Sequence, residues 1–313
     1  AAMAADLIDM AASAGADAVK FQTFQVEHYI STVQPDRRAR TARFQLSQDE
    51  FRRLRDLAGN KGITFFSTPF DTRDVDFLDG LVPIFKVSSG DLTHLNLVRH
   101  VATKGKPVIL STGLGTPAEI AAAVAAVEEG QPGAGERGNL MLMHCVAAYP
   151  TPAGEANLRN IGWMAEEFGL PVGYSDHTLG TEACVLAVAA GAMALEKHFT
   201  YRKEDQAFHD HAISADPTDM GALVSAVRSA ETYLGSQTRS RGVAEERNLV
   251  NMRRSLGAAT NIPAGEPIRE EWITYLRPAQ GIGPEHFSRI IGRRLTRAVA
   301  AGDLIHPEDL DRP

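Results

Sequence analysis

Pro171-Val172-Gly173-Tyr174-Ser175-Asp176-His177-Thr178 is a short apolar strand that ends in a hydroxyl, a carboxylate and an imidazole. Side chains alternate along a strand, so Gly173, Ser175 and His177 share one face. A second such end, Ala194-Leu195-Glu196-Lys197-His198-Phe199-Thr200, follows an Ala/Val/Leu segment of helical character, and Glu196 and His198 share a face there. Strand, helix, strand is the unit of a parallel sheet. The two histidines then stand at the tips of neighbouring strands, which suits a divalent metal held by imidazole nitrogens.

The same alternation runs outward from this pair. Ala1 to Gly15 reads as a helix with an apolar stripe through Met3, Leu7, Ile8, Met10 and Ala14, closed by Gly15. Strands are expected at Asp17–Thr23, Ile63–Ser67, Ile84–Val87, Pro107–Ser111, Leu140–His144, Pro171–Tyr174 and Met193–His198, with amphipathic helical stretches such as Asp49–Asn60, Pro117–Glu129 and Thr181–Ala190 between them. The fold class expected is α/β, a (β/α)8 TIM barrel. Only seven strands are counted, and a helix precedes the first, so the barrel's first strand is expected to lie outside this sequence. An open doubly wound sheet is the competing architecture. No Gly-x-Gly-x-x-Gly follows any strand, however, and polar residues end nearly every one, as in a barrel whose single site is ringed by strand ends.

Residues 1–236 are assigned to this barrel domain, 237–252 to a Gly/Ser/Arg/Glu-rich linker and 253–313 to a small C-terminal module. The module contains an internal echo. Ile262-Pro-Ala-Gly-Glu-Pro-Ile-Arg-Glu-Glu-Trp-Ile273 aligns without gaps on Val299-Ala-Ala-Gly-Asp-Leu-Ile-His-Pro-Glu-Asp-Leu310, each reading as strand, Ala-Gly turn, strand and one-turn helix.

A net charge of −7 argues against a nucleic-acid surface, which needs a basic stripe. Cys145 and Cys184 form no Cys-x-x-Cys pattern, so neither a disulfide framework nor a cysteine zinc site is expected, and a cytoplasmic setting is the simplest. No apolar run of about 20 residues points to a membrane span.

Lys20 and Gln22 share one face of the first strand and Val19 and Phe21 the other, which aims the polar pair inward. An inward lysine is costly unless an anion or carboxylate meets it. Lys86 stands at another strand end, and Thr68, Ser89, Ser111 and Ser175 put hydroxyls at four C-terminal strand ends. Two cations among four hydroxyls form a cradle for a phosphate and a carboxylate.

Val19-Lys-Phe-Gln-Thr-Phe24, Phe66-Ser-Thr-Pro-Phe-Asp71, Phe85-Lys-Val-Ser-Ser-Gly-Asp91, Ile109-Leu-Ser-Thr-Gly113, His144-Cys-Val-Ala-Ala-Tyr-Pro150, Gly173-Tyr-Ser-Asp-His-Thr178 and Leu195-Glu-Lys-His-Phe-Thr200 together resemble the sialic acid synthase family, over nearly the whole chain. The C-terminal module resembles that family's antifreeze-like (SAF) domain, through Tyr275-Leu-Arg-Pro278 and Gly281-Ile282. The resemblance implies condensation of phosphoenolpyruvate with the open-chain aldehyde of an N-acylated sugar, such as N-acetylmannosamine, to a nine-carbon 2-keto acid and phosphate. It implies that His177 and His198 hold Mn²⁺ or Mg²⁺. It implies that Lys20, Thr68, Lys86, Ser89, Ser111 and Ser175 hold phosphoenolpyruvate, with Lys20 and Lys86 acting in catalysis, and that Gln22, Tyr149 and Asp210 touch the sugar. Asp91 matches an acidic position that orients water or moves a proton, and Arg277 matches an arginine that reaches the sugar's acyl group across a domain-swapped homodimer. Two departures stand out. The family's opening strand, with its glutamate, is absent, and Ala147 replaces an asparagine found near the sugar, which widens the acceptors to 2,4-diacetamido hexoses of legionaminic, pseudaminic or spore-coat pathways.

Two other classes compete. A Schiff-base aldolase on a similar barrel uses one lysine as nucleophile. A carbohydrate-binding protein with a decayed site has no use for an intact histidine pair and two lysines.

Overall fold

The computed structural model describes residues 2–204 and 210–311, which divide into two compact units, 1–235 and 236–313. The larger unit is built on seven parallel strands: β1 (Ala18–Thr23), β2 (Thr64–Pro69), β3 (Phe85–Val87), β4 (Val108–Ser111), β5 (Leu140–Cys145), β6 (Val172–Asp176) and β7 (Leu195–Lys197). Their spatial order is their chain order, β1 through β7, each paired in parallel with the next. That order excludes a doubly wound sheet, in which strands are added outward from a central switch point. Right-handed crossovers in one constant direction put every helix on one face of the sheet. The other face can then leave water only by curling on itself.

It does curl. Lys20 on β1 lies 3.6 Å from Glu196 on β7, although β1 pairs only with β2 and β7 only with β6. Helix Ala2–Ser13 packs beside helix Pro217–Leu234, and Arg228 on the latter pairs with Asp17 at the foot of β1 at 2.8 Å. Among the described residues the expected eight-stranded ring is therefore a curled seven-stranded sheet, with β1 and β7 as its facing edges.

Local signals account for the helices. Ser47 and Glu50 form a reciprocal capping box in front of helix Gln48–Asn60, which turns Phe51, Leu54 and Ala58 inward at helical spacing. Thr116 and Glu119 do the same for helix Pro117–Gly130, with Pro117 at its first position and Ile120, Ala123 and Val127 buried. These faces pack on Phe65, Phe85, Val87, Leu110, Leu142 and Tyr174, giving one continuous apolar layer outside the sheet.

The smaller unit has its own core, including Leu256, Ile268, Leu295 and Ile305. Its regular ladder is antiparallel, between β8 (Ser255–Ala258) and β9 (Ile273–Leu276). The two echoing segments meet at their first residues: Ile262 and Val299 exchange backbone hydrogen bonds of 2.9 and 3.0 Å. Gly265 and Gly302, the glycines of the two Ala-Gly turns, both take positive φ, and one-turn helices follow at Glu270–Trp272 and Pro307–Asp309. The stretch assigned as a linker, residues 237–252, carries helix Val243–Met252. Glu245 and Glu246 in its first turn, each paired with an arginine upstream, favour a helix that no apolar stripe announces. Among the described residues no helix is long and apolar enough to cross a membrane.

Candidate active site

Lys86 projects from the middle of β3 to the concave side, with its side chain only 3% exposed. Its ammonium donates to Ser111 Oγ on β4 at 2.7 Å and to Glu196 Oε1 on β7 at 3.4 Å. Ser175 on β6 donates to the same Oε1 at 2.8 Å, and Lys20 reaches the other carboxylate oxygen from β1. Side chains from three other strands thus converge on one carboxylate, and Ser111 on a fourth supports it through Lys86. Burial alone would raise the Glu196 carboxyl, but the Lys20 and Lys86 charges and the Ser175 hydroxyl overcome it and hold the group far below the carboxylate range. Burial pulls the Lys86 ammonium down, and Glu196 opposes the pull. Glu196 was not among the residues expected here. The signal for it is plain in hindsight: it shares a strand face with His198, and two inward lysines require an anion.

The histidines emerge one residue past the last paired positions of β6 and β7, where Asp176 sits opposite Lys197. Their ring centroids are 5.2 Å apart. His177 Nδ1 lies 2.8 Å from the carbonyl of Val146, which fixes Nδ1 as the protonated nitrogen and leaves the lone pair on Nε2. Burial holds His177 below its ordinary pKa; burial, His177 and Lys20 hold His198 at about 3. Both rings are therefore neutral at pH 7, as imidazole ligands must be. Asp210 Oδ2 stands 4.0 Å from His198 Nδ1. Among the described residues no cluster of three or more His, Cys, Asp or Glu has metal-binding geometry; the groups that could hold a divalent cation here are the two neutral imidazoles.

Other expected residues of the larger unit stand at or just past the strand ends. Thr68 at the end of β2 is buried, and its Oγ1 has no hydrogen-bond partner. A buried hydroxyl left unmatched costs stability, so an orphan beside a cradle is what an absent ligand oxygen would satisfy. Ser89 accepts from the Gly113 N–H at 3.1 Å. Asp91, raised by burial, receives the Ser88 hydroxyl at 2.5 Å. The Tyr149 ring lies 4.1 Å from His177 and 6.0 Å from His198, and burial pushes its phenol to about 12. Gln22 is exposed on the Lys20 face of β1. Arg277 follows β9 in the smaller unit and is exposed.

Tyr29 is a residue the sequence did not mark. It sits against Phe70, 4.3 Å between centroids, and Phe24, 5.4 Å, and the charge of Asp91 raises its phenol after burial does. An aromatic wall thus borders the site on the β1–β2 side.

Residues 7–239 match the NeuB family and residues 253–311 match the SAF domain. The chain belongs to the NeuB family. It is 36% identical to N,N'-diacetyllegionaminic acid synthase of Legionella pneumophila over 99% of this chain and 90% of that one. It is 32% identical to pseudaminic acid synthase of Campylobacter jejuni, over 98% and 92%. The crystal structure of the N-acetylneuraminic acid synthetase of Leptospira borgpetersenii superposes with a TM-score of 0.73 at 32% identity, covering 79% of this chain and 84% of that one. Like these named synthases, the chain is a NeuB-type enzyme.

Proposed function

We propose that this NeuB-family chain condenses phosphoenolpyruvate with the open-chain aldehyde of an N-acylated amino sugar, N-acetylmannosamine or a 2,4-diacetamido hexose, to a nine-carbon 2-keto acid and phosphate. The observation that carries the reading is Lys86. A lysine 3% exposed, bound to Ser111 and Glu196 with Lys20 on the same carboxylate, is built to hold multiply charged anions beside a neutral histidine pair.

In this reading Lys20, Lys86, Ser111, Ser175, Ser89 and the orphaned Thr68 hydroxyl bind the phosphate and carboxylate and aim C3 of the enol at the aldehyde carbon. His177 and His198 would hold Mn²⁺, which two imidazoles favour over Mg²⁺; when bound it supplies Lewis-acid polarisation of the aldehyde. The C3–C1 bond forms, the aldehyde oxygen takes a proton, and water adds to C2. The resulting phosphohemiketal then breaks its C2–O bond to release phosphate and leave the ketone. Asp91, half-buried and raised in pKa, orients that water and takes its proton. Gln22, Tyr149 and Asp210 orient the sugar, and Arg277 of a domain-swapped second copy meets its acyl group. The facing edges β1 and β7 support a (β/α)8 barrel whose eighth stave lies between them.

The lowered pKa of Lys86 favours a second reading, a Schiff-base aldolase. Its ion pair with Glu196 weighs against a free amine. Borohydride trapping with substrate separates the two: covalent label on Lys86 would establish the aldolase. Phosphoenolpyruvate labelled with oxygen-18 in the bridging C–O tests the condensation, with the label expected in phosphate and not in the sugar acid.

A further inference from the structure

The back of the strand tips that carry the histidines holds a polar cluster that no step above uses. Asp176 and Lys197 point away from the site, into the layer between sheet and helices, with side chains 0% and 2% exposed. Lys197 Nζ meets Asp176 Oδ2 at 2.7 Å and donates to the Thr178 carbonyl at 2.7 Å. Asp176 also receives the Tyr174 hydroxyl at 3.0 Å, the Thr178 N–H at 2.8 Å and the Cys184 thiol at 3.4 Å. Every other side chain named in that layer above is apolar or aromatic.

A buried ion pair contributes little net stability, and well-packed apolar residues often serve better, so its presence points to positioning. The geometry says what is positioned. Strand pairing between β6 and β7 ends with Asp176 opposite Lys197, and each histidine is the next residue on its strand. Past that rung the two tips take separate backbone partners: the His177 carbonyl accepts from Thr151 N–H and the His198 carbonyl from Ala215 N–H. The Lys197 ammonium, by contrast, grips residues 176 and 178 on either side of His177 while its own backbone leads into His198. One side chain therefore ties both imidazole-bearing tips together.

We propose that Lys197 and Asp176 are positioning residues that set the separation of His177 and His198 required to hold a divalent cation. This rests on the metal reading of the histidine pair. The test is titration of the full chain with Mn²⁺, followed by electron paramagnetic resonance, for the wild type and for Asp176→Asn/Lys197→Met. The double variant removes both charges at nearly constant volume, so its metal-free unfolding temperature is expected to equal or exceed that of the wild type. Its Mn²⁺ affinity is expected to fall by about 10-fold to 100-fold, the cost usual for lost support of metal ligands. Equal Mn²⁺ affinity in a folded double variant would overturn the inference. Should that variant fail to fold, Tyr174→Phe, which removes one hydrogen bond to Asp176 and no charge, decides in its place: a weakening in the same direction supports the inference and wild-type affinity overturns it. A wild type that binds no Mn²⁺ would overturn the metal reading itself.

Discussion

At the scale of single residues, the site is two lysines on one carboxylate. Glu196 satisfies Lys20 and Lys86 in the structure described here, and a bound phosphoenolpyruvate would bring further negative charge to the same two ammonium groups. Lys86→Met is therefore expected to weaken phosphoenolpyruvate binding by about two orders of magnitude, roughly 2.7 kcal/mol, read by calorimetric titration. Asp74 offers an independent check on the electrostatics. It is buried, one of its carboxylate oxygens lacks a partner, and burial raises its pKa from 3.8 to about 6. A carboxyl raised in the folded state favours folding most below its unfolded pKa, and that advantage is lost as pH rises through about 6. Asp74→Asn is expected to stabilise the protein at pH 8 by about 1–3 kcal/mol and to be neutral near pH 4, measured as the shift in unfolding temperature at the two pH values. The inward lysines and paired histidines were legible in the sequence because a charged group on an inward strand face has few structural uses. Tyr29 was not, since its place against Phe24 and Phe70 depends on how a long loop folds back.

At the scale of elements, the strands were legible wherever an apolar run closed on a hydroxyl or a charge, as at Ser111 and Asp176. That the sheet curls was legible in the polar residues gathered at its strand ends; that β1 and β7 meet through Lys20 and Glu196 was not, because it is a relation between distant elements that no local pattern encodes. Helix Val243–Met252 was hidden by the Gly/Ser/Arg composition just before it. One loop contact joins element geometry to the site. A Cβ on Gly113 would fall 2.7 Å from Ser89 Oγ and 3.3 Å from the Cys145 carbonyl. The backbone cannot yield, so the hydroxyl must. Gly113→Ala is expected to raise the KM for phosphoenolpyruvate several-fold, with overpacking costing about 1–3 kcal/mol of stability. Unchanged KM in steady-state assays would show that Ser89 does not face the substrate.

At the scale of the whole molecule, the residues of the proposed function fall in two units. The larger presents the two lysines and the two histidines; the smaller carries Arg277 on a fold whose repeat was visible in sequence through its two Ala-Gly turns and whose two halves begin with mutually paired residues, Ile262 and Val299. Arg277→Ala is expected to raise the KM for the sugar about tenfold or more while leaving phosphoenolpyruvate binding unchanged, since only the acyl sugar is assigned to it. The most direct measurement is release of phosphate from phosphoenolpyruvate with Mn²⁺, against N-acetylmannosamine, mannose and 2,4-diacetamido hexoses. Phosphate release that requires one N-acylated sugar and stops with EDTA is the predicted result. Release that ignores the sugar, or persists without metal, would contradict it.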